Sequence, residues 1–111
     1  MKKILVVNND MDTMSLLQQL LETKGYQVKY SGNDAEVHQL LAQFQPDLLL
    51  VDILQINTIE ALPDDMSIKK PPVIMMTGYN NQYDKPHFIA DATLKKPFSL
   101  KELEDSIMRF I

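Results

Sequence analysis

Apolar residues in this chain come in two kinds of pattern. The first is the short unbroken run: KILVV at residues 3–7, LLLV at 48–51 and VIMM at 73–76. None alternates with polar residues, so each predicts a strand buried on both faces, as in the middle of a parallel sheet covered by helices. The second pattern recurs every three or four residues. Met14, Leu17, Leu20 and Leu21 form one such stripe, with Asp10 placed to cap the helix and Gly25 to end it in a left-handed turn. Val37, Leu40, Leu41 and Phe44 form a second, begun by Asn33 with Glu36 three residues on and stopped by Pro46. Leu100, Leu103, Ile107 and Phe110 form the last, opened by a Ser99–Glu102 capping box. Between the first two helices Tyr26, Val28 and Tyr30 alternate with Gln27 and Lys29, which predicts an edge strand with one wet face. Ala92, Thr93 and Leu94 predict a brief final strand. The intervals between the strand-like runs have room for only a short helix near residues 58–62, before Pro63, and a short or irregular one within 79–91, which contains Pro86.

Strand and helix therefore alternate throughout, and that order implies one α/β domain over residues 1–111: a doubly wound five-stranded parallel sheet with right-handed crossovers and helices on both faces. In such sheets ligands collect at the carboxyl ends of the strands. The side chains expected on that rim are Asn8, Asn9 and Asp10 after the first strand, Asp52 after the third, Thr77 after the fourth and Lys96 after the fifth. Asp52 stands out, because it is a single carboxylate closing a fully apolar run.

Composition narrows the partners. With 15 acidic against 11 basic residues, a formal charge of −4 and no dense basic run, the chain lacks the electrostatic footprint of direct nucleic-acid binding. It has no cysteine, which excludes disulfides and thiolate metal sites and fits a reducing cytoplasm. The opening MKKILVV is broken by Asn8, Asn9 and Asp10 far short of a signal-peptide core or a membrane span, so a cytoplasmic protein is expected. His38 and His87 have no second ligand at metal spacing, and no glycine-rich phosphate loop follows the first strand, which sets a nucleotide-binding reading low.

The ordered set KKILVVNND, PDLLLVDIL, PPVIMMTGY and ATLKKPFSLKEL resembles the receiver domain of two-component response regulators over essentially the whole chain. That resemblance implies a flavodoxin-like fold with strand order 2-1-3-4-5, the third and fourth helices shortened here. It implies phosphorylation of Asp52 by a sensor histidine kinase or phosphotransfer protein. Lys96 would neutralise the transferring group, Thr77 would hydrogen-bond a phosphoryl oxygen, and Gly78 would leave the approach to Asp52 open. Such a domain is a signalling phosphoacceptor rather than an enzyme, beyond self-catalysed phosphorylation and dephosphorylation. It works through a downstream protein target, with a homodimer through the last-helix face as a further expectation. A cis Lys96–Pro97 bond is also implied.

Four departures from the family pattern matter. Receivers normally place adjacent acids after the first strand to bind Mg²⁺ together with the phosphoacceptor, whereas this chain has Asn8 and Asn9. The implied metal contacts are then Asp52, Asn9 and Leu54, with Asp10 as the nearby substitute, although a helix cap is expected to point elsewhere. Each lost carboxylate gives up roughly 1 to 4 kcal/mol of attraction for a unit charge at about 4 Å. Ile56 replaces the usual proline after the phosphorylation site, Thr93 stands where a switch aromatic is common, and the intervals around Thr77 are short. Two functions follow: a phosphoacceptor with impaired or unusual metal dependence, or a pseudo-receiver that docks or dimerises without phosphorylation, Lys96 pairing directly with Asp52.

Overall fold

The unbroken apolar runs lie at the centre of the sheet, and each alternates its residues between two separate cores. A computed structural model describes residues 1–53, 71–77 and 90–111. Within them the elements are β1 (Lys3–Val7), α1 (Met11–Thr23), β2 (Gln27–Ser31), α2 (Asp34–Gln43), β3 (Leu48–Asp52), β4 (Val73–Thr77), β5 (Ala92–Lys95) and α3 (Leu100–Met108). The strands are all parallel, in the order β2-β1-β3-β4-β5. This is the doubly wound order. The sites expected for the short helix near 58–62 and the irregular segment from 79, together with Leu54, Ile56, Gly78 and His87, lie outside the described residues.

Because side chains alternate along a strand, Ile4, Val6, Leu48, Leu50, Ile74 and Met76 face one side, where they pack with Met14, Leu17 and Leu21 of α1 and Leu103 and Ile107 of α3. Leu5, Val7, Leu49, Val51, Val73 and Met75 face the other and pack with Val37 and Leu41 of α2. Each large aliphatic side chain fully removed from water contributes roughly 1.5–3 kcal/mol, and all five residues of β3 are buried. The helices are thus split between the two faces, as the alternation of elements implies. Of the residues expected to face inward, Leu20, Leu40, Leu100 and Phe110 are half-buried, the last three still packed against a core. They sit at the margins of their stripes.

Local signals set the ends of the elements. Gly25 has φ 95°; its N–H donates to the Glu22 carbonyl at 3.0 Å and that of Tyr26 to Leu21 at 3.2 Å, the paired bonds that close a helix through a left-handed residue. Ser99 and Glu102 form the reciprocal capping box of α3. At the amino ends of the strands, Asp47 accepts from the Lys3 N–H at 2.8 Å and Asp91 from the Val73 N–H at 2.8 Å. Each carboxylate thereby satisfies the first donor of a neighbouring strand. The ladder also runs one residue further than the apolar runs suggest: Thr77 pairs with Lys95. Among the described residues, no helix is long and apolar enough to cross a membrane.

Candidate functional site

The carboxyl rim of the sheet brings Asp52 and Lys96 together. Asp52 closes β3 beside Met76 of β4, on the same face as Leu48 and Leu50. Lys96 follows β5, and its N–H donates to the Thr77 carbonyl at 2.6 Å, which locks the start of the following loop against the end of β4. The Lys96–Pro97 bond is cis. From there the Lys96 ammonium donates to Asp52 Oδ2 at 2.5 Å. The Asp52 side chain is 8% exposed and that of Lys96 36%, so the carboxylate is sunk into the rim while the lysine stem reaches it from solvent. A buried carboxylate needs such a partner, because an uncompensated charge in that position costs several kcal/mol. Thr77 is half-buried at the end of β4, adjoining Lys96 through the backbone. Thr93 points to solvent on β5.

The other half of the rim is built differently. The N–H of Asn8 extends the β1–β2 ladder by donating to Ser31 at 3.1 Å, and its buried carboxamide oxygen accepts from the Asp10 N–H at 2.9 Å. Asp10 in turn is the N-cap of α1. Its Oδ1 accepts from the Asp12 and Thr13 N–H groups at 3.1 and 3.5 Å, and its Oδ2 from the Thr13 hydroxyl at 2.7 Å. Those bonds, led by the Thr13 hydroxyl and N–H, hold the Asp10 carboxyl below the ordinary aspartate range, with the positive charge of Lys96 adding a smaller share. The Asn9 carboxamide lies over Gly32. A Cβ built on Gly32 would stand 2.6 Å from the Asn8 carbonyl oxygen and 3.1 Å from the Asn9 Oδ1. The turn after β2 therefore tolerates only glycine at this distance from the loop after β1. Ser31 and Gly32 are turn-forming residues in sequence, and it is the structure, with Ser31 buried, that packs this turn against the rim.

A family model for the response regulator receiver domain matches residues 4–108, and the chain belongs to that family. Receivers are signalling phosphoacceptors of two-component systems and are generally not classed as enzymes. The chain is 33% identical to the CpxR homolog of Haemophilus influenzae, a transcriptional regulatory protein, over 93% of this chain and 47% of that protein. It is 26% identical to the polar-differentiation response regulator DivK of Brucella anthropi, over 99% of this chain and 96% of that one. The chain spans about half the length of the first curated relatives it matches. Among solved structures, the chemotaxis protein CheY4 of Vibrio cholerae superposes with a TM-score of 0.84 at 20% identity, covering 100% of this chain and 99% of that one, which shows the shared fold.

Receivers generally bind Mg²⁺ for phosphorylation. The donor set described here does not fit that ion. Mg²⁺ takes octahedral oxygen ligands and is held through carboxylates and water. Here Asp52 is already paired with Lys96, the Asn8 oxygen is used in its own turn, the Asn9 carboxamide sits over Gly32, and Asp10 faces the first turn of α1. Among the described residues, no group of three His, Asp or Glu side chains could hold a metal. Asp10, the expected substitute, is the helix cap that its position after β1 predicts.

Proposed function

We propose that Asp52 is the residue of this receiver that accepts a phosphoryl group, donated by a phosphohistidine of a kinase or phosphotransfer protein. What supports the reading is the buried Asp52 carboxylate at the carboxyl rim with Lys96 against it and Thr77 at the neighbouring strand end; the direct Lys96–Asp52 pairing is also what a docking pseudo-receiver would have, and phosphorylation separates the two. In the transfer an Asp52 oxygen forms a bond to phosphorus while the P–N bond breaks. The electron pair returns to the imidazole, which takes up a proton from solvent. Lys96 already touches the attacking carboxylate, and its partly exposed stem lets the ammonium follow the incoming oxygens and offset their charge. Thr77, at the end of the neighbouring strand, would supply the hydroxyl that hydrogen-bonds the new phosphoryl group. Output then passes to a protein target whose binding changes with the shape of this rim, and the exposed side of α3 is the face proposed for a homodimer.

Incubation with acetyl phosphate, read by intact mass, tests the assignment. One phosphoryl adduct is expected on the unaltered chain and none on Asp52→Ala. An adduct that survives Asp52→Ala overturns the assignment. A chain that takes no adduct at all is left with the phosphorylation-independent docking role.

A further inference from the structure

At the rim, the use made of Asp10, Asp52, Asn8, Asn9 and Lys96 defines a charge arrangement of its own. With aspartates at positions 8 and 9, three carboxylates counting Asp52 would gather at the rim and Lys96 alone could not balance them; a divalent cation would be required. With Asn8 and Asn9 that excess is gone. Among the described residues, the buried Asp52 carboxylate is met by the Lys96 ammonium at hydrogen-bond distance, and Asp10 spends both oxygens on α1 while lying within the field of Lys96. A cation approaching Asp52 would share its carboxylate with the positive charge of Lys96 and would find amide dipoles in place of the charges of neighbouring acids.

We infer that this pocket does not take up Mg²⁺ at the concentrations that saturate an acidic site, and that Lys96 supplies the positive charge in its place. Asn8 and Asn9 are the residues that make it so. The inference deepens the reading of Asp52 as phosphoacceptor and rests on it for its consequence, a transfer that does not depend on the divalent ion. The binding itself is separable from that reading.

The test is an amide NMR titration of the full chain with MgCl₂, compared with NaCl at matched ionic strength. For the unaltered chain, no saturating shift is expected at the amides of Asn9, Asp52 and Lys96 up to about 20 mM Mg²⁺. Asn8→Asp with Asn9→Asp should produce saturating shifts at those amides, with affinity on the order of tenfold or more higher. Asn8→Asp retains the acceptor used by the Asp10 N–H, and Asn9 is exposed, so Asn9→Asp alone serves as a second variant and should fall between the two. Saturation of the unaltered chain in the low-millimolar range, or a double variant that titrates like it, overturns the inference. A phosphoryl adduct from acetyl phosphate that forms equally with Mg²⁺ and with a chelator supports it, and an adduct abolished by the chelator overturns it. No adduct under either condition counts against Asp52 as acceptor, while the titration still decides the metal question.

Discussion

The two halves of the carboxyl rim start from similar material and put it to opposite uses. After β3 and β5, a carboxylate and an ammonium 44 positions apart in the chain meet side chain to side chain, the carboxylate buried and the ammonium partly exposed. After β1, polar groups are taken up locally within two or three residues: the Asn8 oxygen by the Asp10 N–H, the Asp10 oxygens by the Asp12 and Thr13 N–H groups and the Thr13 hydroxyl. Being at a strand end is thus insufficient to make a residue part of a site. The first turn of a helix leaves several N–H groups without intrahelical partners, and a side chain close in sequence reaches them before any ligand does.

The largest expected effect that sharpens this contrast is at Gly32. Its substitution by alanine would drive a methyl group into the Asn8 carbonyl oxygen, a backbone atom that cannot swing away. A loss of about 1–3 kcal/mol in urea unfolding is expected, as for other overpacked sites. Stability within a few tenths of the unaltered chain would show that the loop after β1 is not held by the turn after β2. A smaller effect is expected from a double-mutant cycle of Asp52→Asn and Lys96→Met. Coupling near 1 kcal/mol fits a pair with one buried and one partly exposed member, between the values of exposed and fully buried pairs. A coupling of zero would place Lys96 with the solvated charges and remove the distinction between the two halves.

The smallest expected effect is the pH dependence at Asp10. Its folded-state pKa is depressed by the Thr13 and Asp12 bonds, so its ionised form favours the fold. That contribution is fully present above the ordinary aspartate value near 4 and is lost as the pH falls through the lower folded value. The stability difference between the unaltered chain and Asp10→Asn should therefore be flat from about pH 7 to 5 and change only in the acid limb. Thermal unfolding across that range checks it, and a difference that drifts around neutrality would assign the titration to another group.

Much of this was legible beforehand because it depends on neighbours along the chain. Strand burial followed from unbroken apolar runs, helix faces from three- and four-residue spacing, and the Asp10 and Ser99 caps from their places just ahead of those faces. The margins were less legible. Leu20, Leu40, Leu100 and Phe110 belong to correct stripes yet stay half-buried, since spacing gives a direction and not the distance to the next layer. Gly32 shows in sequence only as a turn-forming residue, because what requires glycine there, the Asn8 carbonyl oxygen in the loop after β1, is absent from its own neighbourhood.

The amino-acid order by itself determined the alternation of elements, the two-sided sheet and the presence of amides where receivers carry acids, because those depend on periodicity and residue type. Only the tertiary structure decided that Lys96 closes on Asp52 and that the Asn8 oxygen is turned into its own loop. Both outcomes depend on strand register, which sets residues from distant parts of the chain a few ångströms apart and leaves each buried polar group to find whichever partner that spacing provides.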